Sequence, residues 1–141
     1  MLRTTQWILG CLMAITLYGQ TGKVEVLITG VTPEWGGHLR VALYVEDNFP
    51  KEEASLASQV IPVRALEQKA TFHDVLPGEY AVAVYQDLNS DGNLNRYIHG
   101  APKEPYGFSN NKYGRFGPPK FQEVAFLVDS TQTTSLKIAI E

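Results

Sequence analysis

Seven short stretches of this chain alternate apolar and polar side chains with a period of two, and that pattern narrows the folds open to it. Lys23 to Ile28, Leu39 to Glu46, Gln59 to Arg64, Ala70 to Val75, Tyr80 to Gln86, Glu123 to Val128 and Leu136 to Ile140 each read as a half-buried strand. Turn signals separate them at Thr32-Pro33, Gly36-Gly37, Asp47-Asn48, Pro77-Gly78 and Asp129-Ser130, where proline presets φ and glycine, asparagine or aspartate accepts a positive one. The one helical candidate is a turn around Lys51 to Ala57. Many short strands without long helices between them imply an all-β, single-domain, two-sheet antiparallel sandwich.

The run Leu76-Pro77-Gly78-Glu79-Tyr80 sharpens that expectation. A proline-glycine corner with tyrosine at the start of the next strand is similar to the tyrosine corner of immunoglobulin-like sandwiches, in which the phenol bonds upstream backbone. An immunoglobulin-like or transthyretin-like Greek key is therefore expected, and Tyr80 is assigned a structural role.

Ahead of the strands, Arg3, an apolar run from Trp7 to Tyr18 and the small residues Gly19-Gln20-Thr21-Gly22 have the order of a secretory signal peptide, giving a leader over 1–19 and a sandwich over 20–141. The run is shorter than the roughly 20 apolar residues of a membrane span. A minor alternative is lipidation at Cys11, because Ile8-Leu9-Gly10-Cys11 is similar to a lipobox. The expected location is the periplasm or the medium. Without its leader the chain has no cysteine, so apolar burial must supply its stability. An acidic balance, 12 Lys+Arg against 15 Asp+Glu, argues against nucleic acid as a partner.

Between Asp87 and Lys120 lies a segment far longer than an ordinary connection, yet rich in Tyr97, Tyr106, Phe108, Tyr113 and Phe116. Such a composition predicts an ordered lobe covering one end of the sandwich. Basic charge concentrates there, with Arg96, Lys103, Lys112, Arg115 and Lys120 against Glu104. Tyr106, Phe108, Tyr113 and Arg115 are candidate contacts for a sugar, a peptide or a polar lipid headgroup, and the bland reading makes the rings the lobe's own core.

The lobe opens with Asp87-Leu-Asn89-Ser-Asp91-Gly92-Asn93-Leu-Asn95, which places oxygen-bearing side chains at alternate positions around a glycine. In a calcium loop of the EF-hand type the first, third and fifth residues offer side-chain oxygens, the sixth is glycine and the seventh gives its carbonyl. Asp87, Asn89, Asp91, Asn93 and Asn95 are the candidate metal ligands, with Glu104 able to close the shell from across the loop. The twelfth position is Ile98 where a bidentate glutamate is usual, so calcium at roughly 10⁻⁴ to 10⁻³ M is the expected range, and magnesium fits less well. The bland alternative is a turn whose Asp and Asn side chains satisfy their own backbone.

From Leu76 to Phe126 the motifs Leu76-Pro77-Gly78-Glu79-Tyr80, Asp87 to Asn95, Gly100-Ala-Pro102-Lys-Glu104-Pro105-Tyr-Gly107-Phe108-Ser109-Asn110-Asn111 and Gly117-Pro118-Pro119-Lys-Phe121 occur in order. This combination resembles a bacterial family of exported proteins known as domain of unknown function two-one-four-one. The resemblance implies a secreted or periplasmic β-sandwich and supplies no activity. Asn95 departs from it, standing where a carboxylate is common.

Three functional classes follow. A non-enzymatic binding or accessory module of the cell envelope needs only the sandwich, the loop and an exposed face, with a glycan, a peptide or an envelope protein as partner. A purely structural partner domain would bury its lobe in an assembly. A transthyretin-like hydrolase would need paired histidines and a Tyr-Arg-Gly-Ser tail, whereas this chain ends Lys137-Ile-Ala-Ile-Glu141, and His38, His73 and His99 fall on separate segments.

Overall fold

A computed structural model describes residues 19–141, so the leader up to Tyr18, Cys11 included, lies outside the described residues. Two sheets pack face to face. One holds β4 (Gln68–Val75), β1 (Gly22–Thr29) and β8 (Thr133–Ala139) in that order. The other runs β3 (Ala57–Pro62), β2 (His38–Tyr44) and β5 (Gly78–Asp87). Its last strand is long enough to pair twice along its free edge, with β7 (Phe126–Val128) near its start and β6 (Tyr106–Phe108) further along.

The expected all-β sandwich is thus the fold found, with three differences. β6 lies inside the lobe, where only Tyr106, Gly107 and Phe108 reach the sheet, too few residues for an alternation to register. The stretch from Glu123 is shortened, because Phe121–Val124 form a single helical turn and the strand begins at Phe126. The sandwich is not wholly antiparallel: β1 pairs with β4 antiparallel but with β8 parallel, from Lys23 opposite Thr133 to Thr29 opposite Ala139. The helical candidate near Lys51 is one 3₁₀ turn, Glu52–Ala54.

Alternation places Val24, Val26 and Ile28 of β1 against Leu39, Val41 and Leu43 of β2 and Val82 and Val84 of β5, all buried, with Ile138 of β8 completing the layer. Gln86 is the polar member of the inward set, fully buried. Its amide donates to the carbonyls of Thr32 and Gly36 while its oxygen accepts from the Thr32 N–H, which ties the β1–β2 connection to β5. Gly37 lies against the end of β5 with φ 78°, and a Cβ there would stand 2.1 Å from the Asp87 carbonyl oxygen, so only glycine lets β2 start so close. Among the described residues no helix is long and apolar enough to cross a membrane.

Tyr80 behaves as a tyrosine corner: its hydroxyl donates to the Leu76 carbonyl at 2.8 Å. Tyr80→Phe keeps the buried ring and removes one hydrogen bond, so a loss of about 1 kcal/mol with an unchanged denaturant slope is expected in urea unfolding. A loss under a few tenths of a kcal/mol would reduce the corner to a ring-packing feature.

Candidate functional site

The outer face of the β2–β5 sheet carries the other half of each alternation, namely Arg40, Ala42 and Tyr44 on β2 and Ala81, Ala83, Tyr85 and Asp87 on β5. Asp87 is the last residue of β5 and fully buried, a position that an isolated carboxylate does not tolerate. Arg40, on the neighbouring strand, supplies its partner, with Nε 2.6 Å from Oδ2. The loop supplies two more donors: the Asp91 N–H reaches Oδ1 at 3.2 Å and the Gly92 N–H reaches Oδ2 at 2.9 Å. Gly92 has φ 83°, and its Cα faces the Arg40 guanidinium.

Asp91 is the second hub. Its Oδ1 accepts from the Asn93 N–H at 2.9 Å, and its Oδ2 accepts from the side-chain amides of Asn89 at 2.9 Å and Asn95 at 3.0 Å. The Asn95 amide first, and then the Asn93 N–H, hold this carboxyl below its ordinary pKa. Glu104 closes the segment from the far side. It is buried, and its two oxygens accept from the Leu88 N–H at 2.9 Å and the Asn95 N–H at 3.0 Å. Beyond it, the Tyr97 N–H donates to the Ala101 carbonyl, the Lys103 N–H to that of Asn95, and Arg96 bridges Pro102, so 95–103 is a small hairpin tipped by Ile98 and His99.

All five loop residues and Glu104 are therefore brought together, but the side-chain oxygens of Asp87, Asn89, Asp91 and Glu104 accept from protein N–H groups, and the amides of Asn93 and Asn95 donate to Asp91. Calcium takes six to eight oxygens. Here both oxygens of Asp87 and of Glu104 are engaged by protein donors, and the charge opposite Asp87 is the Arg40 guanidinium. Among the described residues no group of three or more His, Cys, Asp or Glu is clustered to hold a metal. As arranged, the donor set fits an Asx-rich turn with an internal cation better than a metal shell. Arg40 was invisible as a site residue because it lies 47 positions upstream, although its place in an otherwise apolar alternation was a usable signal.

The aromatic candidates divide. Phe108 is buried in a second apolar cluster with Ala81, Phe121 and Val124, on the outer face of the sheet. Phe49 packs edge-on against Tyr44, Phe108 and Phe121 with ring centres 5.6, 5.8 and 6.0 Å apart. Tyr106 stands edge-on to Phe108 and to Tyr113. The Tyr113 hydroxyl donates to the Ala139 carbonyl at 2.9 Å, with the Tyr106 carbonyl a second acceptor for the same proton at 3.2 Å, and burial pushes its pKa up to about 12. Arg115 is exposed, its guanidinium over the Phe116 ring at 5.4 Å. Ser109, Asn110 and Asn111, to which the sequence reading gave no role, stitch the lobe down. The Ser109 hydroxyl bonds the Val82 N–H and the Val124 carbonyl, the Asn110 amide donates to Ala125, and Asn111 bonds Lys137 and Ala139 on β8.

Between this aromatic layer and the hairpin lies a groove. Its inner part, about 170 Å³, is walled by Arg40, Glu52, Tyr85 and Arg96, and the Tyr85 hydroxyl donates to Glu52 at 2.6 Å. Burial, and then that bond, raise the Tyr85 pKa. The outer part, about 520 Å³, opens between Arg96 to Pro102 and Gly114 to Pro118. Leu94, Arg96, Tyr106, Phe108 and Pro118 line both parts, so the groove is continuous.

A profile of the family described as "Uncharacterized protein conserved in bacteria (DUF2141)" matches residues 26–136. The chain belongs to that family. The matched span begins within β1 and ends within β8, so it takes in the whole lobe and both ends of the DUF2141 groove. No curated protein and no solved structure matches.

Proposed function

We propose that this DUF2141 chain is an exported, non-enzymatic binding or accessory module of the cell envelope, in which the sandwich is a frame and residues 88–121 form the working face. The observation that carries this reading is the continuous groove. It combines aromatic walls with arginine and tyrosine donors, the mixture that ligand sites use to hold an apolar body and orient its polar groups. The charged pattern and apolar run at the N-terminus support export. In this reading calcium is an accessory at most, since Arg40 already neutralises Asp87.

One observation favours a second, hydrolytic reading. His38 Nδ1 stands 2.7 Å from the Ser90 hydroxyl, and Ser90 has φ 57°, the kind of strained position a nucleophile can occupy. Asp87 is committed to Arg40 and to backbone, so it does not orient that imidazole, and the pair is better explained as a clasp closing the 88–91 turn onto β2.

Both readings are tested together by presenting residues 19–141, which contain every strand and both apolar clusters, to glycan and peptide arrays and to a panel of simple esters and purine-pathway hydrolase substrates. Saturable retention on an array, reduced tenfold or more in Arg96→Ala, is the expected result. Ester turnover abolished in Ser90→Ala would overturn it in favour of the hydrolase.

A further inference from the structure

Two of the largest apolar side chains on the surface stand at the tips of the two turns that flank the groove. Ile98 is as open as in an extended peptide, at 109 % relative exposure, and Phe116 reaches 95 %. Neither ring nor branch packs on any core, so neither contributes to the fold through burial. Both turns are built to hold their tips out. Gly100 donates to the Tyr97 carbonyl at 2.8 Å to close the first, and in the second Gly114 is pressed against the carbonyls of Gly117 and Pro118.

Cations surround both tips. The Arg115 guanidinium lies over Phe116, the Lys103 ammonium lies 5.3 Å from the centre of the Tyr97 ring, and Arg96 bonds the Gly100 carbonyl. Residues 95–120 hold five of the twelve basic residues and one of the fifteen acidic ones. That one, Glu104, is buried on backbone N–H groups, so the field outside the lobe is positive while the rest of the chain is strongly acidic.

We infer that this lobe docks on an anionic membrane surface, with Ile98 and Phe116 entering the headgroup and acyl boundary and Arg96, Lys103 and Arg115 against lipid phosphates. The inference deepens the proposal above by naming the surface to which the working face is turned, and it does not depend on what fills the groove. Convex, separated apolar prongs ringed by cations suit a fluid interface, whereas a protein hot spot is typically a packed patch whose rim excludes water. Each basic side chain near an anionic leaflet adds about 1 kcal/mol, attenuated by salt. Tyr97 beside Ile98 has the amphipathic ring that favours the headgroup level.

The test is co-sedimentation of residues 19–141 with vesicles of phosphatidylglycerol in phosphatidylcholine and with phosphatidylcholine alone. The inference requires partitioning that needs the anionic lipid, falls with added salt, and drops roughly tenfold or more in the Ile98→Ser, Phe116→Ser double variant, consistent with the burial value of two apolar side chains. Leu66→Ser, which removes an exposed apolar side chain outside the lobe, should leave it unchanged. Equal binding to both vesicle types, binding that survives the double variant, or none at all would overturn the inference. Array binding intact in Ile98→Ser alone, a side chain outside the groove lining, while vesicle binding falls separates this docking role from the groove. Loss of a peptide ligand from the arrays in Ile98→Ser, without vesicle binding by wild type, would assign the prongs to a protein interface instead.

Discussion

Asp87→Asn is expected to cost about 3 kcal/mol and to release the segment that follows β5. The side chain it alters is fully buried, bonded to Arg40 and to two backbone N–H groups. Breaking one partner of a buried pair typically costs about 3–5 kcal/mol, because the remaining charge is left without compensation. The low end applies because the Arg40 side chain keeps 25 % of its surface in solvent, where water recovers part of the loss. Asparagine also presents a donor toward the Asp91 or Gly92 N–H where an acceptor is needed. Amide hydrogen exchange should therefore show lost protection at Leu88, Asp91 and Gly92, with Val82 and Val84 still protected. Asp91→Asn, at an exposed hub where water can replace the lost acceptor, should lower stability far less than Asp87→Asn does. The same measurement decides what cation organises the loop. With Arg40 in that role, the gap between wild type and Asp87→Asn is the same in chelator and in millimolar calcium. If wild type in chelator fell to the level of the variant, calcium would be the organising ion and the place given to Arg40 would be wrong.

What the sequence conveyed, and what it did not, divides along the range of the interactions. Period-two alternation is a local property, so seven of the eight strands among the described residues, β7 with its start misplaced, and the inward faces of β1, β2 and β5 were legible from residues alone. The tyrosine corner was legible for the same reason, since Tyr80 and Leu76 are four residues apart. β6 was not, because three residues fix no period and its pairing is decided by Phe108 finding a ring cluster assembled from Phe49 and Phe121. Parallel pairing of β1 with β8 is likewise a property of the two chain ends meeting. The Asp87 to Asn95 pattern identified the residues that converge but not the charge they converge on. Alternating Asp and Asn around glycine serves a metal ion or a set of N–H donors equally well, and the partners that Asp87 and the loop backbone meet in the fold, Arg40 and Glu104, lie one far upstream and one across the loop.

The second large effect concerns how the lobe is held to the frame. Phe108→Ala removes a buried ring at the centre of the outer cluster, and such truncations cost about 3–5 kcal/mol. Two outcomes are physically open to a lobe of this kind. A lobe attached only at its ends would melt early and leave the sandwich with nearly its full stability. This lobe is attached along its length: Ser109 bridges β5 and the turn before β7, Asn111 bonds β8 on the opposite sheet, and the Tyr113 hydroxyl bonds the Ala139 carbonyl. β6 itself occupies the edge of β5, so losing it would expose the N–H and C=O groups of a central strand. The lobe and the sandwich are therefore expected to unfold together. In urea, Phe108→Ala should shift one transition by about 3 kcal/mol or more with its slope unchanged, read identically by tryptophan fluorescence and by far-ultraviolet circular dichroism. Two resolved transitions, the first lost in the variant and the second at the wild-type midpoint, would mean that the aromatic layer is an independent unit. The groove between it and the hairpin would then be a hinge, and ligand or membrane contacts at Ile98 and Phe116 would be free to move without straining the frame.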